Sequence, residues 1–196
     1  MPLLWIDHVR RGQINWPNAR DRRQYLDGAS GKKAGLLPVR NYVLLRRFSA
    51  KDDKHRLIAA PLLAADWSQY AAVGLENKLN YLYARRGQLT DAQTAGLAAL
   101  LNSNLYDAFF RIFNGNTQVS ATEARALPMP ELATIEEIGR QALGPGQQAT
   151  DAIVNRRPDP LGSLPLLGFA APPNSPSQHK LRREPGGAPG AGYAPA

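Results

Sequence analysis

The chain has no cysteine, which excludes disulfide bonds and thiolate metal sites and leaves nothing that points to an oxidising compartment. No stretch approaches the roughly 18 uninterrupted apolar residues of a membrane span. The start, Met1-Pro2-Leu3-Leu4-Trp5, puts its apolar patch before its charge, the reverse of a secretory signal. No repeat of about 20 to 50 residues is visible. His8 and His55 stand isolated, so neither suggests a metal or catalytic cluster. These absences predict a soluble, cytoplasmic chain without a membrane partner.

What is present is basic charge, unevenly placed. The net charge is +8, and residues 1–56 hold 13 Lys/Arg against 5 Asp/Glu, whereas residues 57–154 hold 6 against 9. A basic region on a near-neutral scaffold is the footprint of a polyanion binder, because each phosphate contact releases condensed counterions. An inert solvated surface has the same composition.

A chain of 196 residues accommodates one well-buried domain and a tail. Trp16-Pro17-Asn18 reads as a turn, and residues 21–33 as a loop with one helical turn around Arg22–Leu26. Tyr42–Phe48 suits a strand, Ser49–Lys54 a polar turn, and Arg56–Ala60 a second strand ended by Pro61. This predicts a β-hairpin with cations on its arms and tip. Val73–Tyr83 reads as two short extended segments interrupted by Glu76-Asn77-Lys78. Thr90 with Gln93 forms a capping box ahead of apolar residues at helical spacing, and Asn102-Ser103-Asn104 marks a break between two helices. Asn114-Gly115 ends the second of them. Ser120 with Glu123 is another capping box, Leu127–Pro130 an edge strand or extended step, and Thr134 with Glu137 opens a last helix to about Leu143.

From Asn155 the 42 remaining residues include 9 Pro and 6 Gly, too little apolar surface to offset chain entropy. The expected organisation is an α+β domain over residues 1–148, with a mixed or antiparallel sheet packed on helices. A disordered Pro/Gly-rich tail is expected over 149–196.

Three segments carry a resemblance: NYVLLRRFSAKDDKHRLIAAPL (Asn41–Leu62), GLENKLNYLY (Gly74–Tyr83) and LAALLNSNLYDAFFRIFNGNTQVSATEARALPMP (Leu97–Pro130). With weaker agreement at Trp5–Val9 and Ile14–Pro17, they resemble the C-terminal target-recognition part of adenine-specific DNA methyltransferases of type II restriction-modification systems. The Leu-Asn-Ser helix and Thr-Gln elbow also resemble the specificity domains of type I systems. The resemblance implies that a separate N-terminal domain binds S-adenosylmethionine and grips a flipped adenine, while this part selects the DNA site. Neither catalytic signature occurs here: no Asn-Pro-Pro-aromatic motif is found, Pro172-Pro173-Asn174 is in the wrong order, and the glycines of Gly186–Gly192 follow no strand. The resemblance therefore implies no cofactor in this chain, double-stranded DNA as partner, and a methyltransferase catalytic chain in trans. A split gene product, a degraded remnant and a dedicated subunit all fit. Lys78 stands where the family usually carries a histidine.

The candidate DNA-binding residues are Arg46, Arg47, Lys51, Lys54 and Arg56 on the hairpin, Asn77 and Lys78 in the next polar interruption, and Asn116 and Gln118 in the elbow. Cations hold phosphates, and Arg, Asn and Gln can pair with base edges. Arg46 and Arg47 should point to opposite faces of their strand. The polar residues of the elbow would equally satisfy backbone groups at a helix end. Two rival functions remain. Asp52 or Asp53 with Glu76-Asn77-Lys78 imitates the acid…Glu-x-Lys pattern of magnesium-dependent nucleases, and the domain could be a protein-interaction module.

Overall fold

A computed structural model describes residues 1–19, 23–26, 36–49, 53–113, 118–144, 151, 154 and 167–170. The strands are β1 (Leu3–Leu4), β2 (Val9–Arg10), β3 (Gln13–Ile14), β4 (Leu36–Pro38), β5 (Tyr42–Arg46), β6 (Ala59–Leu62), β7 (Ala72–Leu75) and β8 (Leu79–Ala84). Four helices come next, α1 (Asp91–Asn102), α2 (Asn104–Phe113), α3 (Ala121–Arg125) and α4 (Leu132–Leu143), and then β9 (Leu167–Ala170). A four-stranded antiparallel sheet has the order β6-β5-β8-β9. A second sheet, β1-β7-β4, is mixed, with β1 parallel and β4 antiparallel to β7. This is the α+β architecture expected, helices packed on a largely antiparallel framework.

β5 explains how the layers are joined. It is apolar at successive positions, and Tyr42 to Leu45 are all buried. Successive side chains leave a strand on opposite faces, so an unbroken apolar strand needs cover on both sides. Val43 and Leu45 enter a core with Leu97, Leu100, Leu101, Tyr106 and Phe110 of the helices. Tyr42 and Leu44 enter a second core with Leu4, Val73, Leu75 and Trp67. β7 and β8, consecutive in the chain, divide between the two sheets and fasten them together.

The capping signals in the sequence are realised. Thr90 Oγ accepts from the Gln93 amide at 3.1 Å while Gln93 Oε1 accepts from the Thr90 amide at 3.0 Å, and Ser120 with Glu123 repeats the exchange. Ser103 separates α1 from α2, its hydroxyl donating to Leu100 O at 2.7 Å. Leu127–Pro130 joins no ladder, with the Tyr106 hydroxyl donating to Pro128 O.

Three local expectations are corrected. The second hairpin strand starts at Ala59 and contains Pro61. Arg46 N donates to Ile58 O, and Leu44 pairs with Ala60, so Ala59 and Pro61 turn their backbone outward at the sheet edge. There a missing N–H removes no ladder bond. The outward edge at Ala59 is held by Asn102, whose side chain accepts from Ala59 N at 2.9 Å and donates to Ala59 O at 2.8 Å. α4 starts at Leu132 with Glu131 as its cap residue, and Glu137 bonds Arg140 and Gln141 within the helix. Tyr25 forms an isolated bridge with Pro2 in place of a helical turn. Beyond residue 148, Val154 is buried in the helical core and β9 pairs with β8. The expected helix stop at Asn114-Gly115 lies outside the described residues.

Candidate nucleic-acid interface

The end of β5 is where separate parts of the chain converge. Arg47, one residue past the strand, receives the β7–β8 turn on one side: its amide donates to Lys78 O at 2.9 Å and its guanidinium to Asn77 O at 2.8 Å. From another direction the segment after α2 arrives. Val119 N donates to Arg47 O at 2.7 Å, Gln118 bridges Phe48, and the buried Asn80 side chain donates to Val119 O. Asn77 and Lys78 thus meet Arg47, and Gln118 meets the next residue, Phe48, which is 37% exposed.

The turn is held by its acid. Glu76 Oε2 accepts from the Ile6 amide at 2.9 Å, and Glu76 Oε1 lies 3.6 Å from Lys78 Nζ. Glu76 is well covered whereas Lys78 is half exposed, so the pair leaves the ammonium facing water. An exposed pair of this kind contributes about 0 to 1 kcal/mol. Glu76 therefore props the turn, and among the described residues no three His, Asp or Glu side chains gather as a metal site.

The other hairpin cations are placed differently. Arg46 Nε donates to Val9 O at 2.8 Å, bracing β2 against the end of β5. Lys54 is exposed, its carbonyl accepting from Arg111 at 3.2 Å. Arg56, expected at the start of the second hairpin strand as a DNA contact, is only 3% exposed and precedes β6. Its amide and that of Leu57 donate to Asp107 Oδ1, which draws this stretch inward onto α2. Lys51 and Asn116 lie outside the described residues.

Beside this stretch Arg11 reaches both His55 Nε2 and Asn102 O. Burial, and then the Arg11 charge, lower the pKa of His55. Arg10 and Arg11 are exposed on the β2–β3 turn, where Gly12 adopts φ +76°. Their Arg-Arg-Gly sequence was a usable turn signal. Phe48 carried no such signal, because an aromatic residue at a strand end reads as core.

No family model and no solved structure matches the chain. Among curated proteins it is similar to type II methyltransferases. One is M.PstI of Providencia stuartii, 35% identical over 159 residues that make up 80% of this chain and 31% of that protein. Another is M.BsuBI of Bacillus subtilis, 31% identical over 140 residues, 71% of this chain and 28% of that protein. The chain therefore spans less than a third of the length of these relatives.

Proposed function

We propose that this chain is a double-stranded DNA recognition domain serving an adenine-specific methyltransferase of a restriction-modification system in the cytoplasm. The observation that carries the reading is the convergence of Asn77, Lys78 and Gln118 on Arg47 and Phe48, so that three separate segments meet. Lys78 supplies a phosphate contact, and Asn77 and Gln118 supply amides able to pair with base edges. The basic first third of the chain and the similarity to type II methyltransferases both support it. S-adenosylmethionine and the chemistry on adenine belong to a catalytic chain in trans, which gel-shift assays with and without that chain would reveal.

The test is the salt dependence of duplex binding, read by fluorescence anisotropy of labelled DNA. Each phosphate contact adds about 0.9 to the slope of log affinity against log salt. Lys78→Ala should flatten that slope by about one and weaken binding uniformly, whereas Gln118→Ala should alter site preference. Affinity of the full chain that ignores salt would overturn the reading. Ile112, 81% exposed on α2, favours a second reading as a protein-interaction module, which predicts partner capture without salt-sensitive DNA affinity.

A further inference from the structure

We propose that the cleft walled by Trp16, Tyr25, Trp67 and Tyr70, with Asp66 among its lining residues, binds an organic cation, an ammonium or guanidinium group. The cleft encloses about 640 Å³, within the range of ligand sites. Trp16 is its centre, with ring centroids of Tyr25, Trp67 and Tyr70 at 5.0, 5.2 and 5.9 Å. The three rings are inclined to Trp16 by 60°, 44° and 87°, so they do not form a flat stack. Tyr25 is 51% exposed although its ring is held in the cluster.

Aromatic faces carry negative potential and attract a cation lying over them. Asp66 adds a full charge of the same sign, is exposed, and makes no ion pair among the described residues. Among the described residues no Lys or Arg lines the cleft. On a chain of net charge +8, the described lining is a local reversal of sign, which disfavours phosphate and sets the cleft apart from the cluster proposed for DNA at the end of β5. Gln69 also lines the cleft, and an amide can hydrogen-bond a bound ammonium or guanidinium group.

The test follows tryptophan fluorescence of the full chain during titration with tetramethylammonium chloride and with N-acetyl-arginine amide. tert-Butanol is the neutral match for size, and sodium chloride balances ionic strength. Both cations should give a saturable change that tert-butanol does not. Asp66→Asn, at an exposed position, should weaken cation binding at least tenfold while leaving duplex DNA affinity unchanged; Trp16→Ala should abolish the response. Stronger binding of the arginine amide identifies a protein side chain as the source of the cation, and stronger binding of tetramethylammonium a free quaternary ammonium compound. An equal response to tert-butanol, or unchanged cation affinity in a folded Asp66→Asn protein, overturns the proposal. Because DNA binding is read separately, either result leaves the recognition function to its own test.

Discussion

Asp107 holds together residues far apart in the sequence. Burial alone would raise its pKa, but hydrogen bonds from the Arg111 guanidinium and the Leu57 and Arg56 amides outweigh that and leave it lowered. A depressed carboxyl pKa stabilises the fold fully above the unfolded value, about 4, and that stability is lost as pH falls through the folded value. Asp107→Asn keeps the shape but replaces an acceptor oxygen by a donor, and should cost about 2 kcal/mol in urea denaturation at neutral pH. The difference from wild type should shrink in acid. His8 acts at higher pH. It is almost fully buried, its Nδ1 accepts from the Trp5 amide at 3.0 Å, and burial lowers its pKa against the opposing charges of Asp7 and Glu76. Its neutral ring therefore stabilises the fold above about pH 6.5, and that contribution fades as pH falls towards the folded value. Stability measured from pH 7.5 to 5 should decline, and the decline should be smaller in His8→Gln, with His55 supplying the remainder.

Where α1 crosses α4, backbone meets backbone. A Cβ added at Gly96 would lie 1.9 Å from Ile135 O, and one at Gly139 would lie 1.6 Å from Ala92 O. Gly96→Ala gains about 1 kcal/mol of helix propensity, but a clash with main chain cannot be relieved by a rotamer change. Overpacking costs about 1 to 3 kcal/mol and should dominate. Thermal melting of Gly96→Ala should therefore fall below wild type; a rise would mean that the helices separate freely. This crossing was not legible in the sequence, because a glycine inside a helix does not announce its neighbour. The capping boxes were legible, since both partners lie three residues apart. The hairpin was legible in kind but not in register. Pro61 has the local signature of a terminator, whereas the edge position of β6 accommodates it. The burial of Arg56 was hidden because Asp107, which draws its backbone inward, lies about fifty residues on.

At the scale of the molecule, two cores back a shared sheet, and the cluster at Arg47 and Phe48 forms where three stretches meet at its end. Two of those stretches, the hairpin and the polar interruption at Glu76–Lys78, stand out by composition, and the third by its run of Asn, Thr and Gln. Their meeting point required the β5–β8 register, which places Arg46 opposite Leu79. The aromatic cleft was invisible for a similar reason, since Trp16, Tyr25 and Trp67 come from separate segments and share no period. Composition also set the domain boundary at residue 148, because Pro and Gly dominate the chain beyond it. Farther along the chain, Leu167–Ala170 lie along Tyr81–Ala84.

That strand bears on how the protein behaves in the tube. A version cut after residue 148 would bare the outer edge of β8 and remove Val154 from the helical core. Unpaired strand edges are templates for other chains. The shortened protein should self-adhere, with scattering mass rising with concentration more steeply than for the full chain, and equal scattering from both would show that β9 shields nothing. On that outcome, residues that look dispensable by composition guard the sheet edge against aggregation.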